Sequence, residues 1–310
     1  MRNLHIVPGT DDVANGMVVV ARFLAKEQGD AEVVDLKDAD CRKVASADEV
    51  WVHGMWLPRE WKVCRWALKA GKPFVRMTHG SLSPMYLNYQ GKWKKRLVGP
   101  IERFFLRRAK AVVATCEAET DWIRTYLGRR CPPVEVTDIK RFFNLSRVEH
   151  VDHVDGELHL LYLGRRHPLK GVEYLEAAVR QIEESTRSTC STRLKIVSSA
   201  FGEEKEQIWS WCDVLVLPTL SDNFGLVIAE ALERGKRVIT TDGAPAWGDS
   251  LEFRVLSLES KESPDSGVKC SGACEIWSGY GGRLLYLKGY REGSPEQRVR
   301  LLKEAIGRLN

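Results

Sequence analysis

Short apolar segments, each followed by a longer helical segment, are the feature that most constrains this 310-residue chain. In the first half the predicted strands are Leu4–Val7, Glu32–Leu36, Glu49–Val52, Pro73–Met77, Ala111–Ala114 and Val134–Val136, with helices near 16–28, 59–70, 93–109 and 117–127. In the second half they are Leu158–Leu163, Leu194–Val197, Val214–Leu217 and Arg237–Thr240, with helices near 172–186, 203–211 and 224–234. Such alternation produces a parallel sheet covered by helices on both faces. The sequence therefore predicts an α/β fold with two sheets of this kind.

A polar stretch rich in His and Asp, from Ser146 to Glu157, interrupts the pattern and is typical of an interdomain linker. The expected divisions are an N-terminal domain over 1–148, a C-terminal domain over 149–294 and a final amphipathic helix over 295–310. Ser294, Pro295 and Gln297 predict that helix because they form an N-cap, a first-turn proline and a capping box. We expect the helix to pack back on the N-terminal domain. The segment 259–282, rich in Ser, Gly and charge, receives no assignment.

Charge is distributed unevenly, with a net +8 over residues 1–150 and −3 over residues 151–310. The basic half suits an anionic partner, or it simply keeps the protein soluble. No run of 18 apolar residues occurs and no apolar leader precedes the first strand, so a cytoplasmic location is expected. Asp38-Ala39-Asp40 superficially offers a metal-binding pair, but its polar surroundings favour a solvated loop. We therefore predict no metal site.

The first chemically informative window lies at the exit of a predicted strand and reads Gly164-Arg165-Arg166-His167-Pro168-Leu169-Lys170-Gly171. Strand ends in such sheets face the ligand crevice. Arg165 and Lys170 provide two cations there, and the helix that begins near Gly171 adds its positive N-terminal end. Together these groups suit a diphosphate. The alternative is a surface turn with solvated basic residues.

The second window runs from Leu217 to Leu232, where a strand ends and a helix begins. Asp222 stands in the loop, and Glu230 follows it by eight residues, a little over two helical turns. Unpaired helix-start amides able to hold a phosphate or sugar oxygen belong to Asn223, Phe224, Gly225 and Leu226. An acid such as Glu230 within an apolar stretch needs a partner. A ribose diol is one candidate, and a buried Arg is the other.

Both windows resemble those of the family 4 retaining glycosyltransferases of the B-type fold, in the order and at the spacing of that family. The resemblance spans most of the chain and implies two Rossmann-like domains facing across a cleft. It implies that Arg165 and Lys170 hold the donor diphosphate, that Glu230 binds the ribose hydroxyls and that Asp222 lies near the donor sugar. The amides of residues 223–226 are then expected to contact phosphate and sugar.

The chain departs from the family pattern at three places. Thr137-Asp138-Ile139-Lys140 replaces the usual Pro-Asn-Gly, and Asp222 stands where Glu is commoner. The second domain is also short between Leu194 and Asp213, as if one strand–helix unit were missing. Because that unit usually helps to hold the nucleotide base, the identity of the base stays open.

Segments of the first half resemble those of bacterial surface-polysaccharide and lipopolysaccharide members, among them His53-Gly54-Met55-Trp56 and Thr78-His79-Gly80-Ser81-Leu82. By this resemblance His79 lines the reaction centre, where an imidazole can bond to the transferred sugar. A purely structural histidine is the alternative. Asn15 and Gly16 are expected to form the glycine-containing loop beneath donor and acceptor.

The resemblance implies a retaining hexosyltransferase that moves a sugar from a nucleotide-diphosphate sugar to a lipopolysaccharide-core or other surface-glycan acceptor. Fixed cations would stabilise the departing diphosphate, so neither a metal nor a cofactor is expected. Two other classes stay open: an epimerase-like nucleotide-sugar enzyme, which acts without an acceptor, and a non-catalytic nucleotide-sugar-binding module. A nucleic-acid partner is not expected.

Residues 92–108 mix cations with aromatic and aliphatic side chains at helical spacing. Such a helix can lie on an anionic bilayer, or it can pack its apolar face on the sheet. Because lipid-linked acceptors are frequent in the family, we expect peripheral binding at the inner face of the cytoplasmic membrane.

Overall fold

The structure is a computed structural model that describes residues 2–12, 15–89, 91–146, 157–185, 191–248, 254–256 and 275–309. The chain divides into two compact units, Met1–Phe142 and Phe143–Asn310. Residues 147–156 of the predicted linker lie outside the described ranges.

The first unit is a parallel sheet with helices between its strands. Its strands are β1 (Asn3–Val7), β2 (Ala31–Asp35), β3 (Glu49–His53), β4 (Phe74–Met77), β5 (Ala111–Ala114) and β6 (Val134–Val136). Its helices are α1 (Gly16–Gln28), α2 (Cys41–Ser46), α3 (Pro58–Lys69), α4 (Pro84–Asn88), α5 (Lys92–Leu106) and α6 (Glu117–Leu127). The described strands are ordered β2-β1-β3-β4-β5-β6, and every neighbouring pair is parallel. All six predicted strands are confirmed, while the two short helices α2 and α4 were not predicted.

The core of the first unit lies between the sheet and its helices. Ile6, Val52 and Val112 on the strands are fully buried, and Val63 of α3 and Ile123 of α6 are buried with them. β5 is a continuous apolar run buried along its whole length, as expected of a strand covered on both faces. β4 is equally buried although it contains Arg76. Apolar burial of this kind is the main stabilising term of the unit.

The second unit repeats the plan and extends it. Its strands are β7 (Glu157–Leu163), β8 (Ser191–Val197), β9 (Val214–Leu217), β10 (Arg237–Thr241), β11 (Arg254–Leu256), β12 (Glu275–Gly279) and β13 (Leu284–Lys288). Its helices are α7 (Val172–Ser185), α8 (Gly202–Trp211), α9 (Leu226–Glu233) and α10 (Pro295–Gly307). The order is β11-β12-β13-β10-β9-β7-β8, with β12 antiparallel to both of its neighbours. β11 and β8 are therefore the two edge strands of this sheet among the described residues.

The unassigned segment 259–282 contributes β12, which pairs with β13 across a turn of positive-φ residues, Tyr280, Gly281 and Gly282. Residues 257–274 lie outside the described ranges.

The final helix, α10, begins with the predicted capping box of Ser294 and Gln297. It packs against α7 of the second unit, with Leu301, Leu302 and Ile306 buried. The Nη1 of Arg298 also donates to the Tyr174 hydroxyl of α7 at 2.9 Å. These contacts attach the helix to its own unit, and additional packing on the N-terminal domain stays a prediction. The apolar face of α10 predicts that the helix packs against another element, but it does not identify that element.

Candidate functional site

Three loops of the second unit meet at the carboxyl ends of its parallel strands. The carbonyl oxygen of Leu169, in the loop between β7 and α7, accepts from the Leu220 amide at 2.8 Å and the Ser221 amide at 3.2 Å. The Thr219 hydroxyl donates to the same oxygen at 3.1 Å. Since Thr219, Leu220 and Ser221 follow β9, these bonds join the two sequence windows side by side.

Two glycines allow this close approach. A Cβ on Gly171, whose φ is +66°, would stand 2.2 Å from the carbonyl oxygen of Pro218. A Cβ on Gly243, in the loop after β10, would stand 2.0 Å from the carbonyl oxygen of Thr219. Only a residue without a side chain fits at either position.

Lys170 and Asp222 form an ion pair at this edge of the sheet, each with about a quarter or less of its side chain exposed. The Asp222 amide donates to the Gly243 carbonyl oxygen at 2.8 Å, which anchors the loop. The other carboxylate oxygen of Asp222 accepts from the Asn223 amide at 2.8 Å. Asp222 is thus held by its backbone and presents a carboxylate shared between Lys170 and Asn223.

Helix α9 begins immediately afterwards at Gly225, which is its N-cap with φ +64°. Within the described residues, the amides of Phe224, Gly225 and Leu226 have no hydrogen-bond acceptor. The Asn223 amide differs, because Asp222 already occupies it. The side-chain Oδ1 of Asn223 is buried and lacks a partner. This helix start therefore offers three open donors together with the positive end of a helix dipole, an arrangement suited to an anion.

Glu230, one turn into α9, pairs with Lys205 of α8, whose Nζ lies 2.9 and 2.8 Å from its two carboxylate oxygens. Each side chain is about one quarter exposed. The partner of this acid is thus a lysine, where the sequence analysis weighed a ribose diol against a buried Arg. Lys205 was missed because it stands in the run Glu203-Glu204-Lys205-Glu206, which is typical of a solvated helix face.

The two arginines of the first window have different surroundings. Arg166 is paired with Glu176 of α7. The guanidinium of Arg165 is exposed and bonds to none of the described residues, while its backbone oxygen accepts from the Tyr162 hydroxyl at 2.9 Å. Arg165 is therefore available for a ligand, and Arg166 is not.

In the first unit, His79 follows β4 with a φ of +48°, a conformation that non-glycine residues rarely adopt. The fully buried carboxylate of Glu119 holds the residues on either side of it. One oxygen accepts from the Thr78 hydroxyl at 2.6 Å and the Gly80 amide at 2.5 Å, and the other from the Thr115 amide at 2.8 Å. This clamp stabilises the uncommon backbone and fixes the position of the imidazole.

The His79 ring is partly exposed, and its Nε2 lies 2.9 Å from Nδ1 of the buried His53. Burial lowers the pKa of His79 from its ordinary 6.5 to about 4. The imidazole is therefore neutral at physiological pH, where it can bond to a sugar hydroxyl without carrying charge.

Asn15 is the N-cap of helix α1, which begins at Gly16. The Asn15 side chain accepts from the Met17 amide at 3.1 Å as the N-cap, and its Nδ2 donates to the carbonyl oxygen of Pro8 at 2.7 Å. The cap ties the loop after β1 to the helix. Residues 13 and 14 lie outside the described ranges.

Helix α5 exposes an apolar stripe made of Trp93, Leu97, Ile101 and Phe104. At about 100° per residue these four side chains fall within an arc of roughly 80°. Leu97 is 72% exposed and Trp93 is 63% exposed. Exposed cations at Lys92, Lys94, Arg96, Arg107 and Arg108 flank the stripe. The opposite face, with Phe105 and Leu106, is buried in the unit. The helix therefore packs on its unit and also presents a second apolar face.

None of the helices built from the described residues has the length and apolar character needed to cross a bilayer. Those same residues contain no group of three His, Cys, Asp or Glu side chains placed to hold a metal ion. Asp40 of the Asp-Ala-Asp sequence caps α2, accepting from the Arg42 and Lys43 amides at 2.7 and 2.9 Å.

Comparison with known proteins bears on the family and the fold. A family profile described as a glycosyl transferase 4-like domain matches residues 42–138. No curated protein matches the sequence significantly.

Three solved structures resemble the chain. A trehalose-phosphate synthase from Burkholderia xenovorans, in complex with glucose-6-phosphate, matches 99% of this chain and 92% of its own at 11% identity and a TM-score of 0.57. The sucrose-phosphate synthase of Thermosynechococcus elongatus matches 79% and 82% at 16% identity and a TM-score of 0.56. Anabaena HepE, in complex with UDP and glucose, matches 80% and 82% at 15% identity and a TM-score of 0.55. These likenesses establish the fold, with two Rossmann-like units of the glycosyltransferase B type.

Proposed function

We propose that this protein is a glycosyltransferase that moves a hexose, with retention of configuration, from a nucleotide-diphosphate sugar to a glycan or glycolipid acceptor of a bacterial surface polysaccharide such as lipopolysaccharide core. The observation that carries the proposal is the meeting of Lys170, Asp222 and the open amides of α9 at one strand edge. The match of the glycosyl transferase 4-like profile to residues 42–138 supports it from the other half of the chain.

The diphosphate of the donor binds to Lys170, Arg165 and the amides of Phe224, Gly225 and Leu226. In the structure, Asp222 forms an ion pair with Lys170. A diphosphate carries more negative charge than one carboxylate, so it competes for the lysine and frees an oxygen of Asp222 for a hydroxyl of the donor sugar. The Lys170–Asp222 ion pair is thereby replaced by contacts of both residues with the ligand, so neither charge is left without a partner.

The same groups stabilise the transition state. Charge develops on the leaving diphosphate, and the fixed cations and helix-start amides lower the energy of that charge without reorganisation during the reaction. The acceptor hydroxyl attacks the anomeric carbon on the face that the diphosphate leaves, which retains its configuration. Since protein cations do this work, we propose that the transfer needs no divalent metal.

Glu230 binds the ribose hydroxyls of the donor, with Lys205 orienting the carboxylate. A carboxylate accepts two hydroxyl donors readily, and Lys205, whose Nζ contacts both carboxylate oxygens, holds this one in place. His79 bonds to the transferred sugar. In this proposal, Asn15 and Gly16 lie close to donor and acceptor.

The acceptor is lipid-linked, and the stripe of α5 holds the protein at the inner face of the cytoplasmic membrane. Apolar side chains flanked by cations insert into the headgroup region while the cations contact anionic lipids. Trp93 stands at the start of the stripe, where an indole favours the membrane interface.

Donor binding can be measured as thermal stabilisation by UDP-, GDP-, ADP- and CMP-sugars, with and without a chelator, because a ligand of the native state raises its melting temperature. We expect a chelator-insensitive shift with one nucleotide family. Arg165→Ala should weaken binding roughly tenfold to a hundredfold, through the loss of one charge-assisted hydrogen bond. Arg166→Ala is the matched control, since Glu176 already pairs that residue, and it should bind as wild type. Equal effects of the two variants would contradict the site.

Turnover distinguishes the classes that the sequence left open. Release of the nucleotide diphosphate that depends on an acceptor lipid extract supports a transferase. Interconversion of the donor without acceptor indicates an epimerase-like enzyme, and binding without any turnover indicates a non-catalytic module.

Membrane binding can be tested by co-sedimentation with phosphatidylglycerol vesicles at low salt. Leu97→Glu places a charge in the centre of the stripe and should abolish binding. Leu68→Glu, at an exposed apolar position of α3, is the matched control and should bind as wild type. Sedimentation of both variants alike would overturn the assignment of this surface.

A further inference from the structure

Three histidines form a continuous hydrogen-bonded row in the first unit: His5 on β1, His53 on β3 and His79 just after β4. Nδ1 of His5 lies 2.9 Å from Nε2 of His53, and Nδ1 of His53 lies 2.9 Å from Nε2 of His79. In the sheet register, His5 of β1 is level with Trp51 of β3, two residues before His53. His53 is likewise level with Met77 of β4, two residues before His79. Each step therefore advances two residues, about 6–7 Å, towards the carboxyl edge of the sheet.

The inner end of the row is anchored by the side-chain amide of Gln28, the last residue of α1. Its Oε1 accepts from Nε2 of His5 at 2.9 Å and from Nδ2 of Asn3 at 2.8 Å. Trp51 stacks on the His5 ring with centroids 5.2 Å apart and packs against one face of it. Because the amide oxygen can only accept, His5 must carry its proton on Nε2.

The direction of hydrogen-bond donation is then the same at every step of the row. A neutral imidazole has a single N–H, so a His5 protonated on Nε2 offers Nδ1 as an acceptor. His53 donates to it from Nε2 and accepts on Nδ1, and His79 donates to His53 from Nε2. The Nδ1 of His79 is left as an unprotonated acceptor, and it has no partner within the described residues.

We propose that Gln28, through His5 and His53, fixes the tautomer of His79 so that it offers Nδ1 only as a hydrogen-bond acceptor to a hydroxyl of the bound sugar. That this hydroxyl belongs to a sugar rests on the proposed function, whereas the tautomer does not. Gln28, His5 and His53 are positioning residues, because only His79 touches the ligand.

The electrostatics of the row support this assignment. Burial lowers the pKa of His5, and burial together with the neighbouring His79, His5 and Arg76 holds the pKa of His53 well below its usual range. The three rings are therefore neutral at pH 7, as a one-directional row of single N–H groups requires. A site that accepts from a hydroxyl discriminates strongly against a sugar lacking that hydroxyl.

The tautomers can be read from long-range ¹H–¹⁵N spectra of the full-length protein labelled at histidine, with assignments from single His→Asn variants. We expect His5, His53 and His79 each to be protonated on Nε2 at pH 7. Gln28→Met, which removes the acceptor, should give His79 a mixture of tautomers. Gln28→Glu keeps an acceptor and should preserve the wild-type tautomer. Lys26→Met, at an exposed position of the same helix, is the control.

A His79 protonated on Nδ1 in the wild type, or a His79 tautomer that does not respond to Gln28→Met, overturns the proposal. With an active donor and acceptor, Gln28→Met should lower kcat roughly tenfold, about 1.4 kcal/mol, with the melting temperature preserved, while Gln28→Glu stays near wild type. If the tautomers are as expected but no nucleotide sugar perturbs the His79 signals, the proposed function fails while the histidine row stands.

Discussion

The close approach of Gly171 to Pro218 allows the β7–α7 loop to pack against the β9–α9 loop in the second unit, and a substitution at Gly171 tests it. A Cβ at residue 171 would stand 2.2 Å from the Pro218 carbonyl oxygen, far inside van der Waals contact. Gly171→Ala must therefore push the β7–α7 loop away from the β9–α9 loop. The three hydrogen bonds to the Leu169 carbonyl oxygen are the bonds that this displacement stretches.

The magnitude follows from two contributions. An alanine at positive φ costs about 1–2 kcal/mol. Weakening three hydrogen bonds, each with a net value of about 1 kcal/mol, adds roughly 3 kcal/mol. The total is about 4–5 kcal/mol, which for a domain of this size lowers the melting temperature by roughly 10 °C or more.

Gly281→Ala is the matched control, because Gly281 has φ +67° and a Cβ added there would meet nothing within 4 Å. It carries only the backbone cost, so its melting temperature should fall by about 5 °C or less. Both variants can be compared by differential scanning calorimetry and by urea unfolding monitored through tryptophan fluorescence. Equal losses in the two variants would refute the close approach of the loops. Donor binding should also be lost in Gly171→Ala alone, since Lys170 precedes the displaced residue.

Three further predictions concern ionisable groups of the first unit. Glu119→Gln puts an NH₂ group where a carboxylate oxygen accepts N–H and O–H donors. The free energy of unfolding measured in urea should therefore fall by roughly 2–4 kcal/mol. An unchanged unfolding midpoint would contradict the role of Glu119 in holding the residues on either side of His79. Burial raises the pKa of Glu60 from 4.5 to about 7. Between these pH values the folded state therefore binds more protons than the unfolded state. As pH rises from 4.5 to 7, the free energy of unfolding of wild type should fall by up to roughly 3 kcal/mol relative to that of Glu60→Gln. The pKa of His79 in the folded state is instead lowered to about 4. As pH falls from 6.5 to 4, the free energy of unfolding of wild type should therefore fall by up to roughly 3 kcal/mol relative to that of His79→Asn. For either residue, stability profiles of wild type and variant that run parallel with pH would contradict the assignment.

Most of the regular elements could be predicted because their signals are local, although strands β11, β12 and β13 were not predicted. Period-two and period-3.6 patterns, and caps such as Ser294 with Gln297, act over a few residues and survive in the folded chain. Helices α2 and α4 were missed because five or six residues are too few for a helical period. Their caps, Asp40 and Ser83, were the available signal.

The chemistry at the strand ends was visible in the sequence, but its partners were not. Lys205 and Glu230 are separated by 25 residues, and Thr78 and Glu119 by 41. Nothing in the charged run Glu203–Glu206 indicates that Lys205 pairs with Glu230. The histidine row was likewise hidden, although His53 and His79 were both noted in strand-end motifs, because the order of strands that aligns them is not a local property.

The sequence by itself therefore determined two α/β units with parallel strands at their centres, the loops that carry cations and acids at the ends of those strands, and the final helix. Only the tertiary structure decided which groups pair: Asp222 with Lys170, Glu230 with Lys205, α10 with α7, and His79 with His53 rather than with solvent. The physical reason is that propensity, periodicity and capping are short-range properties of the chain. A buried polar group, by contrast, must be satisfied by whichever partner the packing of distant elements brings within hydrogen-bond distance.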